Sequence, residues 1–158
     1  MESGHQPIYN EDRSIILVCN GEIYNYKALR SELIQAGHTF KSNTDVEVIV
    51  HLYEQMGLGF AERLQGMFAL ALWDKRKRRL VLCRDHAGIK PLYYYLDQNQ
   101  LIFSSELKGI ISSNDIKLDI NHEALVDYFK NAFILGPNTI FKQCYKLNPG
   151  TVMTINED

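Results

Sequence analysis

From Met67 the chain changes to a period of two, and this constrains the fold more than any other feature of the sequence. Met67-Phe-Ala-Leu-Ala-Leu-Trp73 and Arg79-Leu-Val-Leu-Cys83 are joined by the polar run from Asp74 to Arg78. Strand side chains alternate between the two faces of a sheet, so such a pair around a polar turn folds as a β-hairpin. Leu92-Tyr-Tyr-Tyr-Leu96 and Leu101-Ile-Phe-Ser104 flank Asp97-Gln-Asn-Gln100 in the same way and predict a second hairpin. Antiparallel sheet is the frame on which the rest of the chain must pack.

Helical patterns are interleaved with it. Ser14 to Cys19 is a short apolar, β-branched run that predicts a strand buried on both faces. Beyond Asn20-Gly21 the apolar period becomes helical: Leu29, Leu33 and Ala36 share a face, with Asn25 as N-cap and Gly37 as the stop. Val46 to Met56 fits a strand or a helix. Thr44-x-x-Glu47 has the form of a capping box, and Val46, Ile49, Val50 and Tyr53 fall on one helical face, which favours the helix. A short helix from about Asn121 to Lys130 and a last strand near Thr151 to Ile155 complete the pattern. Antiparallel strand pairs with separate helices make the fold class α+β. No repeat, low-complexity tract or Pro/Gly-rich linker divides the sequence, so residues 1–158 are expected to form a single domain. With 46% apolar residues there is enough material for its core.

Composition excludes several classes of function. A formal net charge of −2 exerts no general pull on nucleic acid or on an anionic membrane surface. The longest apolar stretches, such as Ile15 to Cys19, are far shorter than a membrane span, and Met1-Glu-Ser-Gly-His5 lacks a basic-then-apolar signal region. A cytoplasmic location is expected, with no nucleic-acid and no membrane partner. Cys19, Cys83 and Cys144 are an odd number without a CxxC pair, which points to reduced, buried thiols. His5, His38, His51 and His122 show no ligand spacing, and no metal is expected. The basic run Lys75 to Arg79 is expected to be a solvated hairpin turn, and Tyr93-Tyr-Tyr95 a packed aromatic strand.

The chemistry concentrates at Asn20-Gly21-Glu22-Ile23-Tyr24-Asn25, where the first strand is expected to end. A carboxamide, an unobstructed backbone N–H and a carboxylate converge there. Attack on an amide creates a tetrahedral oxyanion that needs two preorganised donors; Asn20 can offer its side-chain N–H and Gly21 its backbone N–H. Asn-Gly is also the commonest hairpin turn. The helical pattern that follows weakens the turn reading without removing it.

Seven segments, in order, carry a family resemblance: Gly4-His-Gln-Pro7, Asn20-Gly-Glu-Ile-Tyr-Asn25, Thr44-Asp45-x-Glu47, Leu64-Gln-Gly-Met-Phe-Ala69, Arg84-Asp-x-x-Gly-Ile-Lys-Pro-Leu-Tyr93, Ser104-Ser-Glu-Leu-Lys108 and Lys146-Leu-x-Pro-Gly150. Almost end to end, the chain resembles the class II glutamine amidotransferase domain of glutamine-hydrolysing asparagine synthetases. The resemblance implies an N-terminal-nucleophile fold, a four-layer α-β-β-α sandwich of two antiparallel sheets between helical layers. It implies a Cys at the mature amino terminus that attacks the side-chain amide of glutamine with its own α-amino group as base; ammonia leaves, and water releases glutamate from the thioester. Residue by residue, Asn20 and Gly21 match the oxyanion-hole pair, while Glu22 and Asp45 match the residues that hold the glutamine α-amino group. Two carboxylates facing one ammonium is sound electrostatics. The ordinary alternatives are a solvated loop carboxylate for Glu22 and, for Asp45, an acid complementing a helix dipole, worth about 0.3–1 kcal/mol. The resemblance makes Arg84-Asp85 and His86 a structural turn.

The chain departs from the family at its start, since Met1-Glu-Ser contains no Cys. The family's Arg for the substrate α-carboxylate belongs to a segment preceding Gly4-His-Gln-Pro7. The expectation is therefore a domain without its first strands and without the synthetase domain that follows it in the family. Such a chain is expected to be inactive by itself, because Cys19, Cys83 and Cys144 are internal and lack the free amine. Uncovered sheet edges are expected to pair, giving a homodimer. No cofactor is expected in this chain: no Gly-rich phosphate loop occurs, and ATP and Mg belong to the parent's synthetase domain. The parent is then an ATP-dependent carbon-nitrogen ligase with glutamine as amido donor, and the partners are L-glutamine and the synthetase domain. Two competing readings are a non-catalytic binding or interaction module of the same fold, and the amidase domain of another ammonia-channelling amidotransferase.

Overall fold

The computed structural model describes residues 5–113 and 116–156. Gly4 of the first family segment, and the opening before it, lie outside the described residues. In chain order the elements are β1 (Ile8–Tyr9), β2 (Ile15–Ile23), α1 (Tyr26–Gln35), α2 (Val48–Met56), β3 (Gly66–Asp74), β4 (Arg79–Arg84), β5 (Tyr93–Leu96), β6 (Leu101–Ser104), α3 (Leu107–Ile111), α4 (His122–Asn131), β7 (Cys144–Lys146) and β8 (Val152–Asn156). Two 3-10 segments, Asp45–Glu47 and Gly57–Arg63, flank α2. These elements gather into two compact units, Met1–Lys90 with Gly150–Asp158, and Pro91–Pro149.

The first unit is built on a five-stranded antiparallel sheet in the order β1-β2-β3-β4-β8. The hairpin expected from the two-residue period is β3 with β4, Asp74 standing opposite Arg79. One face of the sheet presents Ile15, Leu17, Cys19 and Ile23 of β2, Phe68, Leu70 and Leu72 of β3, and Val81 and Cys83 of β4. Leu29 and Leu33 of α1, Ile49 and Tyr53 of α2, and Phe60 close this core. Burial of such side chains contributes on the order of 1.5–3 kcal/mol each.

In β2 the structure departs from the sequence expectation. The strand does not end at Asn20-Gly21 but runs to Ile23, each residue opposite one of β3, with Ile23 facing Gly66. It is not buried on both faces either: Val18 is 40% exposed, and Asn20 and Glu22 are exposed beyond it. The Asn-Gly dipeptide lies inside the strand because the two backbones come too close for a side chain. A Cβ on Gly21 (φ +157°) would collide with Met67 O and sit 2.6 Å from Phe68 Cα; one on Gly66 would collide with Glu22 O.

Three helix details also differ. Ala36, expected on the buried face of α1, is exposed and ends the helix, and Gly37 follows at φ +99°. Asn25 does not cap α1; its Nδ2 donates to Arg63 O at 2.9 Å and its Oδ1 accepts from Gln65 N–H at 3.1 Å. The Thr44–Glu47 pair makes no capping box: Glu47, 1% exposed, accepts instead from Lys41 N–H (2.6 Å), Ser42 N–H (2.8 Å) and Ser42 Oγ (2.5 Å). These bonds win because they satisfy a buried carboxylate and give the Lys41 and Ser42 N–H groups, which lie outside helix and sheet, a partner. The segment that fitted strand or helix is α2, and Asn121 caps α4 by accepting from Glu123 and Ala124 N–H.

The turn after β4 is organised by Asp85, which is 1% exposed. Its carboxylate accepts from Phe68 N–H (3.2 Å), Ala87 N–H (3.1 Å), Ile89 N–H (3.0 Å) and Lys90 N–H (3.0 Å). Burial pushes its pKa up, but these backbone donors outweigh burial and hold it below the usual carboxylate value. Arg84 ties the same turn by donating to Lys90 O at 2.8 Å and Gly88 O at 2.7 Å.

The second unit carries the antiparallel sheet β6-β5-β7, the expected second hairpin being β5 with β6. Tyr95, Ile110 and Cys144 form its buried centre, with Tyr93, Ile102, Leu107 and Phe141 packed around them. No helix among the described residues is long and apolar enough to cross a membrane.

Replacing Gly21 by Ala should force β2 from β3 and lower stability by about 1–3 kcal/mol, the range for overpacking against a fixed neighbour. Urea unfolding followed by circular dichroism checks this; a midpoint equal to that of the unsubstituted chain would show that the strands can part at no cost.

Candidate functional site

The free edge of β2 holds the site. Lys75 N–H donates to Ser14 O (2.9 Å) and Tyr24 N–H to Gln65 O (2.7 Å), so the even-numbered residues of β2 are those hydrogen-bonded to β3. The odd-numbered residues turn their N–H and C=O groups to the opposite edge. There β1 covers Leu17, paired with Ile8. Farther along, side chains stand in for a strand. Gln6 Oε1 accepts from Cys19 N–H at 2.6 Å while its Nε2 donates to Cys19 O at 2.7 Å, and Asp45 Oδ2 accepts from Ile23 N–H at 2.7 Å. Between these two lies Gly21, whose N–H has no partner among the described residues.

Beside this edge is a cleft of about 460 Å³ lined by Glu22, Tyr24, Tyr26, Asn43, Thr44 and Asp45. That volume lies within the usual range of small-molecule sites, about 300–1,000 Å³. The Glu22 side chain is exposed and makes no hydrogen bond or ion pair among the described residues. Asp45 sits in the 3-10 turn before α2, half-buried, its Oδ2 fixed on Ile23 and its Oδ1 without a protein partner among the described residues. Of the four residues singled out in the sequence, the structure brings Glu22 and Asp45 into one cleft and leaves the Gly21 N–H at its margin. Asn20 is on the same face of β2 as Glu22, exposed, and does not line the cleft. Two carboxylates with an open backbone donor can take a ligand that carries an ammonium group and develops negative charge on an oxygen.

Sequence reasoning gave Gln6 no role at this edge, nor did it give Asn25 its bonds to Arg63 and Gln65, just before β3 on the other side of β2. Both lie in quoted motifs, but only the pairing of β2 reveals which backbone groups they serve. Nor does the spacing of His38 and His51 pair them, yet their rings stand 5.0 Å apart.

Similarity to known proteins is extensive. The glutamine amidotransferase domain family matches residues 1–158. Asparagine synthetase [glutamine-hydrolyzing] 2 of Bacillus subtilis is 49% identical over 79% of this chain and 17% of its own length. Asparagine synthetase [glutamine-hydrolyzing] 1 of the same organism is 40% identical over 100% of this chain and 25% of its own length. The chain thus spans a quarter or less of these relatives. Among solved structures, the glutamine phosphoribosylpyrophosphate amidotransferase of B. subtilis superposes with a TM-score of 0.58 and 21% identity, over 67% of this chain and 25% of that one. At that identity the likeness is one of fold, the α+β fold of N-terminal-nucleophile amidotransferases.

The three thiols are poor nucleophiles. Cys19, Cys83 and Cys144 are all free and buried. Burial pushes the pKa of Cys19 up to about 12, helped by the charge of Asp45, and pushes Cys83 up to about 12; burial raises Cys144 as well. A thiol so raised is almost entirely protonated at neutral pH, and the thiolate is the reactive form. A disulfide reagent such as Ellman's should therefore label the folded chain slowly and take up all three thiols only after unfolding in guanidinium. Rapid labelling of any one of them in the folded state would show an accessible thiolate.

Proposed function

We propose that this chain, which belongs to the glutamine amidotransferase domain family, binds L-glutamine between Glu22 and Asp45 and exposes its side-chain amide to hydrolysis at the Gly21 N–H. The observation that carries this reading is the arrangement of the β2 edge: one backbone donor without a partner among the described residues, next to a cleft with two carboxylates. The carboxylates take the α-amino group. As the C=O of the amide becomes tetrahedral, its oxygen gains charge, and the Gly21 N–H stabilises it with the Asn20 carboxamide as second donor. Removing one such donor typically costs about 10²–10³ in rate. The nucleophile this reading calls for is an amino-terminal Cys with its own amine as base, a role that the buried Cys19, Cys83 and Cys144 do not fit.

In the whole protein, ammonia released here would pass to a synthetase domain that activates a carboxylate, aspartate in the asparagine-synthetase reading, with ATP and Mg. The names of the two Bacillus relatives support that acceptor. A second reading, a glutamine-binding module without turnover, is favoured by the burial of all three thiols.

Calorimetric titration tests the site in either case. L-Glutamine should bind one per chain, and Glu22→Gln and Asp45→Asn should each weaken it about tenfold or more, about 1.4 kcal/mol. Asp45→Asn keeps an oxygen for the Ile23 N–H, so its melting temperature should stay close to that of the parent chain. The deamino analogue glutaramate should bind weakly to all three. Equal affinity of the parent chain and both variants for glutamine would remove the carboxylates from the site.

A further inference from the structure

We propose that Glu11, His38, His51 and Glu54 form a binding site for a divalent transition-metal cation, and that zinc matches the donors best. The four residues come from three places in the first unit: the loop after β1, the chain just beyond α1, and α2 itself. His51 and Glu54 are three apart on α2 and share a face.

The distances fit. Zinc bonded at about 2.0–2.2 Å to four tetrahedral donors requires those donors to be about 3.3–3.6 Å apart. Here His38 Nδ1 is 3.3 Å from Glu11 Oε1 and 3.9 Å from Glu54 Oε2, and His51 Nδ1 is 3.3 Å from Glu11 Oε2. One ligand atom from each of the four residues lies within 4.8 Å of all the others. Modest side-chain rotation closes them on a common ion.

His51 supplies the independent observation. Its side chain is 1% exposed, and neither ring nitrogen has a hydrogen-bond partner among the described residues. Buried polar groups are nearly always paired, so an orphaned imidazole aimed at a carboxylate needs a reason. Among the described residues, Glu11 and Glu54 form ion pairs with no Lys or Arg. Lys41 Nζ, which is close by, donates to the carbonyls of Asn10 and Glu11.

The surroundings have the form of a supporting shell. His51 Nε2 faces Glu47 Oε1 at 3.8 Å, and Glu47 is itself fixed by Lys41, Ser42 and their backbone donors. With Nδ1 on a metal, the Nε2–H has this carboxylate to donate to, the arrangement that orients metal-bound imidazoles. Imidazole and carboxylate together suit zinc better than magnesium or calcium, which prefer oxygen alone. Side-chain exposures of 35% for Glu11 and 31% for Glu54 leave the ion a way in.

The test uses the whole chain stripped with a chelator, then titrated with Zn²⁺ alone against a chromophoric competitor. One zinc per chain should bind and raise the melting temperature, and Co²⁺ in its place should show the intense visible bands of a tetrahedral ion. Because His51→Ala can fail to fold, the decisive variant is His38→Gln with Glu54→Gln, both at partly exposed positions. It should keep its circular dichroism, lose affinity by about tenfold or more, and lose the zinc-dependent rise in melting temperature. His122→Gln should change none of these. Absence of stoichiometric zinc uptake, or uptake unchanged in the double variant, would overturn the proposal; glutamine affinity is measured in zinc-free buffer, so that the two sites fail separately.

Discussion

A single hydrogen bond, from the Ile23 N–H to Asp45 Oδ2 at 2.7 Å, joins the two sides of the cleft beside β2. It ties the exposed end of a central strand to the turn from which α2 starts, across 22 residues of chain. A backbone donor to a carboxylate is among the stronger bonds available, about 1.5–3 kcal/mol. Its effect is geometric as well: with Asp45 held, Glu22 on the strand and Asp45 on the turn face one cleft, and the first turn of α2 has a fixed origin. The placement of Glu47 and His51 follows from that origin, so the cleft and the histidine cluster share one anchor.

The same device recurs through the first unit. Glu47 gathers residues 41 and 42, Asp85 gathers four backbone donors from 68 to 90, and Asp74 accepts from the N–H groups of Arg76 and Lys77. Each carboxylate takes up donors that neither sheet nor helix satisfies. These acids therefore act as local substitutes for secondary structure, which explains why acidic positions are prominent in motifs whose role is partly architectural. Asp45 belongs to this set through one oxygen, and it also lines the cleft beside β2.

What the sequence disclosed was what is local. The hairpins β3-β4 and β5-β6 were legible because period-two alternation and a polar turn are confined to a few residues, and α1, α2 and α4 because their apolar faces repeat within one helix. The pairing of β2 with β3 was not, since it joins segments more than forty residues apart, and a local Asn-Gly signal argued for a turn where a strand continues. Capping signals at Asn25 and Thr44 misled for a similar reason: the side chains found more distant partners. β1, β7 and α3 are too short to show a period. Glu22 and Asp45 came from resemblance, since no periodicity links a strand residue to a turn residue. His38 and His51 gave no signal at all, because their meeting depends on the packing of α2 against the loops.

The edge of β2 has one more implication. Gln6 occupies the backbone of Cys19 on one side of Gly21, and Asp45 occupies the N–H of Ile23 on the other. An incoming peptide would need several consecutive amides to dock, and among the described residues only a lone one is on offer here, so extending the sheet would mean evicting both side chains. A solitary oxygen atom meets no such obstacle. The border of the sheet thus acts as a keyhole cut for a point charge, closed to the polymer that unguarded borders attract.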